Sequence, residues 1–413
     1  MRIIHTADWH IGQTLAGYGR EHEHRAALDR LIAIAEEQAA DAMIVAGDVF
    51  DHQNPSGESQ RLLFDTILEL RRACRDMTIV MTAGNHDAAG RLEAPAALFR
   101  EMNVHIVGNV RRIGGRIDAA RHLVPLRDAG GEIAANVVAV SYPTAACLPP
   151  FATLDSEGAS PIAAATRSLY DEIMSGCGAN RDNLPTIVTG HLHVAGAIES
   201  EGAERRILVG GQHAVPASIF ANDANYVALG HLHKAQAVGR ATIRYSGSLF
   251  PLSATEANYD HGVTLVTLEG GTARAEHIAI ARPVPFLRIP ERGELRAGEL
   301  ADHLAALGLP ADLPVGQQPF VHVHLSRDSL SIGHRAEIDR IAASYPVRIA
   351  GISAAPSNGP IPHNESDAVA LRLAELQPED MFARAFAKAH DGRAPSPAHL
   401  EAFHRAAAYA AEV

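Results

Sequence analysis

The feature that most constrains this chain is the segment Ile79-Val80-Met81-Thr82-Ala83-Gly84-Asn85-His86-Asp87. A short apolar run predicts a buried strand, and the run stops at Gly84. An amide, an imidazole and a carboxylate then follow in consecutive positions. A core strand gains nothing from such an ending, whereas a site at the C-terminal rim of a sheet is built from side chains of this kind. The layout recurs four times. Ile3-Ile4 precedes Asp8-Trp9-His10 and Gly12, and Met43 to Ala46 precedes Gly47-Asp48-Val49-Phe50-Asp51. Thr186 to Thr189 precedes Gly190-His191-Leu192-His193, and Tyr226 to Leu229 precedes Gly230-His231-Leu232-His233.

Between these runs the apolar period changes. Arg20 to Gln38 and Ser59 to Ala73 carry apolar residues at helical spacing, so strand–helix–strand units follow one another and predict an α/β layered fold. Residues 104–140 look β-rich, and Ile162 to Met174 predicts a helix. Near Arg282-Pro283 the pattern shifts to a compact β-α-β-α-β set: Phe286–Ile289, Gly298–Leu307, Phe320–Leu325, Arg335–Ala343 and Val347–Ile352. The expected organisation is a main domain at 1–281, a small domain at 282–353, a Pro/Ser/Asn/Gly-rich linker at 354–366 and helices at 367–413. The last segment bears the apolar set Leu371, Leu373, Leu376, Met381, Phe382, Phe386, Leu400 and Phe403.

The polar residues at the strand ends are Asp8, His10, Asp48, Asn85, His86, His191, His231 and His233. Carboxylate, imidazole and amide oxygen together suit Mn²⁺, Fe²⁺ or Zn²⁺. D-x-H and H-x-H place two side chains on one side of an extended chain. Eight groups exceed the needs of one ion and fit two that share a bridging carboxylate. Paired ions about 4 Å apart clamp both oxygens in phosphoryl transfer. Glycines at 47, 84, 190 and 230 would let the backbone turn sharply at the strand ends.

Composition narrows the function classes. The 413 residues are 47% hydrophobic, enough for a sizeable core, and the net charge of -12 counts against a free-standing DNA binder without metal ions or a basic partner. Cys74, Cys147 and Cys177 form no CxxC or disulfide pattern, which suits a reducing cytoplasm. Met1 to His5 enters a strand directly, so no signal peptide is expected, and no run approaches the roughly 20 apolar residues of a membrane span. With lysine only at 234 and 388, no GxxxxGK[ST] phosphate loop is present, so any ATP would be bound by another subunit.

The order DxH, GD, GNHD, GH, GHLH resembles the calcineurin-like metallophosphoesterase superfamily. Asp8 to Gly12, Gly47 to Asp51, Gly84 to Asp87, Gly230 to Lys234 and the tail Leu376 to Phe382 resemble, within it, the SbcD-type nuclease subunits. The resemblance implies a four-layer α-β-β-α sandwich with a capping domain and partner-docking helices. It implies two ions, most often manganese, with Asp8, His10 and His233 on one, Asn85, His191 and His231 on the other, and Asp48 between them. It implies that His86 faces the scissile phosphate and that Asp87 orients His86. The implied partners are DNA ends and hairpins, an SbcC-type coiled-coil ATPase and a second copy of the chain in a heterotetramer. Relatives often carry histidine where Asp51 stands, which leaves the roles of Asp51 and His52 open.

Other residues admit plainer readings. His5 reads as a core or supporting residue, His193 as a support behind the ligands, and His22 and His24 as solvated. His322 and His324 share a strand face that reads as surface. Trp9 reads as packing beneath the site. Arg111-Arg112 and Arg205-Arg206 could meet phosphates or be ordinary surface. Two rival functions stand beside the nuclease: a metallophosphoesterase acting on small phosphodiesters or phosphoproteins, and a non-catalytic scaffold.

Overall fold

The computed structural model describes residues 1–149, 160–178, 181, 184–199, 214–326 and 332–354, together with scattered positions between 382 and 403. Two six-stranded sheets form its centre. The first runs Thr272–Ala279, Gly262–Glu269, Arg2–Thr6, Ala42–Ala46, Thr78–Thr82, Val104–Val107. Its last four strands are mutually parallel, and the first two pair antiparallel. The second runs Gln236–Val238, Arg240–Tyr245, Tyr226–Gly230, Thr186–His191, Ile133–Val138, Leu123–Arg127, with four central parallel strands.

Burial separates the layers. Ile3, Ala42, Ile44, Val80 and Val266 of the first sheet share a core with Val124, Val137, Ile187 and Ala228 of the second. The opposite face of the first sheet, with Ile4, Met43 and Met81, packs on Leu28, Leu31, Leu63 and Ile67 of helices Glu21–Glu37 and Gly57–Ala73. The opposite face of the second, with Val138, Val188 and Val227, packs on Leu169 and Ile173 of helix Pro161–Cys177. The result is the expected four-layer α-β-β-α sandwich. Central strands such as Ala42–Ala46 are apolar on both faces, as buried parallel strands are. Helix Gly57–Ala73 starts where Ser56 Oγ accepts from Ser59 N–H at 3.1 Å, an N-cap.

A third sheet of parallel strands Phe286–Ile289, Phe320–Leu325 and Arg348–Ala354 has helices Leu300–Ala305 and Ile332–Ala342 and its own core around Leu300, Val321, Val323 and Ile338. His322 Nε2 and His324 Nδ1 lie 2.9 and 2.8 Å from Ser353 Oγ, so both rings are half-buried partners of that hydroxyl. The linker expected at 354–366 lies outside the described residues except for Ala354, which ends the last strand. The terminal segment is described only at scattered positions, where Phe382 stacks on Phe403 at 4.6 Å between centroids. No helix among the described residues is long and apolar enough to cross a membrane.

Charged groups join the third sheet to the body. Arg20 donates to Glu23 at 2.6 and 2.9 Å, and Arg348 Nη2 lies 3.8 Å from the same carboxylate. Both guanidinium groups lie over the Phe320 ring, Arg348 at 3.7 Å and Arg20 at 5.4 Å. All four side chains are buried. Glu23→Ala leaves two buried guanidinium groups without their carboxylate and should cost about 3–5 kcal/mol, read as a lower thermal unfolding midpoint.

His5 joins the two large sheets. Its Nε2 donates to Leu229 O at 3.1 Å, and the Tyr226 hydroxyl donates to its Nδ1 at 2.9 Å. Burial, against the pull of the Leu229 carbonyl, lowers its pKa from 6.5 to about 3. The unfolded chain therefore binds a proton on His5 below its ordinary pKa that the folded chain refuses, and stability falls as pH drops through that window. The His5→Gln variant should be less stable than the parent at pH 7.5, by about 1–3 kcal/mol for the disturbed buried bonds. It should lose less stability than the parent between pH 6.5 and 4, measured by unfolding midpoints across pH.

Candidate metal centre

The parallel strands of both sheets end on one side, and their tips close on one another. Alternation along an extended chain is not what pairs Asp8 with His10. Asp8, His10, Asp48 and His231 have φ of 54°, 44°, 49° and 99°, in the left-handed region that residues other than glycine seldom enter. Backbone bonds hold these turns: Asp8 N–H to Gly47 O at 3.1 Å, His10 N–H to Asp48 O at 3.0 Å and Ile11 N–H to Val49 O at 3.0 Å. Glycine is needed for approach as much as for turning. A Cβ on Gly84 would stand 2.1 Å from Asp48 Oδ1, and one on Gly47, itself at φ 89°, 2.3 Å from His191 Nδ1.

All the expected side chains meet there. Ligand atoms of Asp8, His10 and His233 lie within 4.8 Å of one another, as do those of Asp8, Asp48 and His191 and those of His10, Asp48 and His86. Asn85 Oδ1 is 3.0 Å from both His191 Nε2 and His231 Nδ1. Asp48 Oδ2 is 3.2 Å from His191 Nε2 and 3.4 Å from His10 Nε2. Main-chain donors steady the carboxylates: His231 N–H to Asp8 Oδ1 at 2.9 Å and His86 N–H to Asp48 Oδ1 at 2.8 Å.

The electrostatics call for a cation. Burial raises Asp8, and Asp48 adds to that rise while the neighbouring histidines oppose it. Burial also works against the Asp48 charge, but His191, His10 and His86 outweigh it and hold this carboxyl far below the usual range. Burial opposes the charged form of His191, yet Asp48 and Asp8 bring it up to about 9. Burial, with His191 adding, pushes His231 down to about 3. Asp8 Oδ2 and His10 Nε2 are buried with no hydrogen-bond partner among the described residues. A buried polar atom without a partner is costly, and a divalent ion would satisfy both atoms. The donor set, two carboxylates, an amide oxygen and imidazoles, fits a pair of such ions.

His86 is held differently from the expectation. Its Nδ1 donates to the main-chain carbonyl of Asp51 at 2.8 Å. Asp87 instead accepts from three main-chain N–H groups, Gly84 at 2.8 Å, Phe50 at 2.9 Å and Val49 at 3.1 Å, and so ties the second strand tip to the third. Burial and the Asp48 charge push Asp87 up to about 6 against these donors. Trp9 is buried beneath the site, its Nε1 donating to Thr6 Oγ1 at 2.9 Å.

Sequence reasoning missed three supports. Asp51, whose role was open, has Oδ1 3.0 Å from His10 Nδ1 and Oδ2 3.1 Å from His52 Nε2. Glu256 is fully buried with Oε1 2.9 Å from His233 Nδ1. His24 is buried rather than solvated, its ring nitrogens 3.0 Å from Arg20 O and 2.8 Å from His10 O. Helical spacing to Ala27, Leu28 and Leu31 could have placed His24 on the inward face; nothing in the sequence marks Glu256. His193 is half-buried with Nε2 3.2 Å from Glu199. Arg112 is paired with Glu172 at 2.9 Å and Arg111 lies 3.7 Å from Glu93, while Arg205-Arg206 falls outside the described residues. A cleft of about 390 Å³ opens beside the site, lined in part by Gly12, His24, His52, Asn54 and Arg61.

Comparison with known proteins agrees with this geometry. Residues 1–235 match the family model of the calcineurin-like phosphoesterases, and residues 282–390 match that of the type 5 capsule protein repressor C-terminal domain. The chain is 46% identical over 387 residues to the SbcD subunit of the nuclease SbcCD of Rhodobacter capsulatus, covering 94% of each chain. It is 36% identical to the SbcD subunit of Bacillus subtilis, over 66% of this chain and 67% of that one. The counterpart from Escherichia coli K12 is 31% identical over 84% of each. The chain therefore belongs to the calcineurin-like phosphoesterases, metal-dependent hydrolases, and within them to the SbcD group.

Proposed function

We propose that this chain is a manganese-dependent DNA nuclease subunit, a double-strand 3′-to-5′ exonuclease and single-strand or hairpin endonuclease. It works in the cytoplasm with an SbcC-type coiled-coil ATPase that supplies ATP dependence, in recombination, replication and DNA end processing. The observation that carries this reading is the complete convergence of Asp8, His10, Asp48, Asn85, His191, His231 and His233 with His86 beside them. Relatives named as nuclease subunits, one of them matched along 94% of the chain, support DNA as the substrate.

In this reading Asp8, His10 and His233 would hold one ion, Asn85, His191 and His231 would hold the other, and Asp48 would serve both. When bound, such ions neutralise charge on the phosphate and acidify water. The chain's own residues do the rest. His86, with Nδ1 fixed on Asp51 O, leaves Nε2 as the atom that exchanges a proton with the leaving 3′ oxygen. Burial lowers the His86 pKa, with Asp48 opposing, which makes the protonated ring a stronger acid. An approaching phosphodiester anion favours that protonated form. Asp87 keeps the Gly84 and Val49 turns in register, so that Asn85 and Asp48 both reach His191 Nε2.

The test is cleavage by the purified chain with Mn²⁺ of a DNA hairpin and of a chromogenic phosphodiester, with and without the ATPase. Cleavage of the small ester alone, even with the ATPase added, overturns the DNA reading in favour of the first rival. His86→Ala should lower hairpin cleavage by about 10²–10⁴-fold with manganese content unchanged; an equally active variant removes His86 from the chemistry. Because the ligand histidines must be neutral to bind metal, activity should fall towards acid pH and recover partly when Mn²⁺ is raised. A pH profile at two metal concentrations reads this directly.

A further inference from the structure

The two halves of the centre are built unequally. This point rests on the two-ion reading above and goes beyond it. Both histidines of the Asp8 half are backed by carboxylates: His10 Nδ1 lies 3.0 Å from Asp51 Oδ1, and His233 Nδ1 lies 2.9 Å from Glu256 Oε1. The other half has no carboxylate of its own among the described residues. Asn85 contributes a neutral amide oxygen, and His191 Nδ1 donates to a main-chain carbonyl, Ala46 O, at 2.8 Å. Asp48 is the carboxylate it shares with the first half, and Asp8 of that half lies within 4.8 Å of His191.

A carboxylate behind an imidazole fixes the tautomer and makes the ligating nitrogen more basic. With the proton of His10 on Nδ1, Nε2 carries the lone pair, and Nε2 is the buried atom that lacks a hydrogen-bond partner. Glu256 is set for the same task on His233. Its second oxygen accepts from Leu252 N–H at 2.8 Å, so the carboxylate is anchored before any ion arrives. Asp51 does more. The same residue that orients His10 through its side chain orients His86 through its main-chain carbonyl, and so couples a ligand to the proton donor.

We propose that Asp51 and Glu256 are positioning residues that make the Asp8–His10–His233 half the tight ion site, and that the Asn85–His191–His231 half is a weaker site filled second. The weaker ion, held by an amide oxygen, by imidazoles without a carboxylate behind His191 and by the shared Asp48, is the one that a phosphodiester anion helps to retain.

The experiment is Mn²⁺ titration of the full-length protein by calorimetry, with free Mn²⁺ followed by electron paramagnetic resonance. The parent should show two separated binding events. Asp51→Ala should weaken the tighter event by about 10–100-fold and leave the weaker unchanged. Asp51→Asn, which keeps an acceptor oxygen, should fall between the two. Glu256→Gln should weaken the tighter event in the same way and provides an independent arm if Asp51→Ala does not fold. Asn85→Ala should remove the weaker event alone. Two events of equal affinity overturn this inference and leave the two-ion reading standing. A tight event that survives Asp51→Ala and Glu256→Gln but is lost in Asn85→Ala does the same. A parent that binds one ion or none at millimolar Mn²⁺ overturns the two-ion reading itself.

Discussion

Two carboxylates, Asp8 and Asp48, are buried together at the tips of adjacent parallel strands. Burying one charge without compensation is expensive, and two of the same sign in one pocket repel strongly where the dielectric is low. The surroundings are arranged around that problem. Main-chain N–H groups of His86 and His231 reach the two carboxylates, and imidazoles crowd the remaining space. The left-handed turns at Asp8, His10, Asp48 and His231 each cost about 1–3 kcal/mol. They persist because the strand-to-strand bonds beneath them leave the chain no other path.

The centre also depends on the sheets lying face to face. Asp8, His10, Asp48 and Asn85 come from the first sheet, and His191, His231 and His233 from the second. His191 crosses the gap to Ala46 O, the last residue of a first-sheet strand. His5 crosses the other way to Leu229 O, immediately before Gly230 and His231. A slip between sheets would part the halves of the site before it exposed much apolar surface. The polar ties between the sheets therefore fix registration that an apolar core alone would leave loose.

Much of this was legible in the sequence because buried parallel strands advertise themselves as apolar runs and their ends as glycine followed by polar residues. The runs at 43–46, 79–82, 186–189 and 226–229 could be read with little ambiguity, and so could the polar side chains that follow them and converge. The helices Glu21–Glu37, Gly57–Ala73 and Pro161–Cys177 followed from periodicity to within a few residues. What could not be read is whatever depends on contacts distant in the chain. Glu256 is an ordinary acidic residue in a turn until His233 is placed against it. Asp87 looks like a partner for its neighbour His86 until Gly84, Val49 and Phe50 are seen to claim its oxygens. The pairing of Asp8 with His10 was attributed to strand alternation because sequence carries no sign of positive φ at residues other than glycine.

His10 shows how far the support of one side chain of the centre extends. Its ring is set by Asp51, its main-chain nitrogen by Asp48 O, and its carbonyl by His24. His24 lies one helical turn beyond Arg20, and Arg20 shares Glu23 with Arg348 of the third sheet. Gln13, three residues past His10, accepts from Arg20 at 2.9 Å and donates to Leu252 O at 2.9 Å, beside the Leu252 N–H that anchors Glu256. The loop that follows His10 is thus held by a buried, charged junction reaching into the third sheet as well as by the apolar packing of Ile11. Charge networks of this kind fit in one arrangement or fail together. The same bonds tie the third sheet to the segment that follows His10.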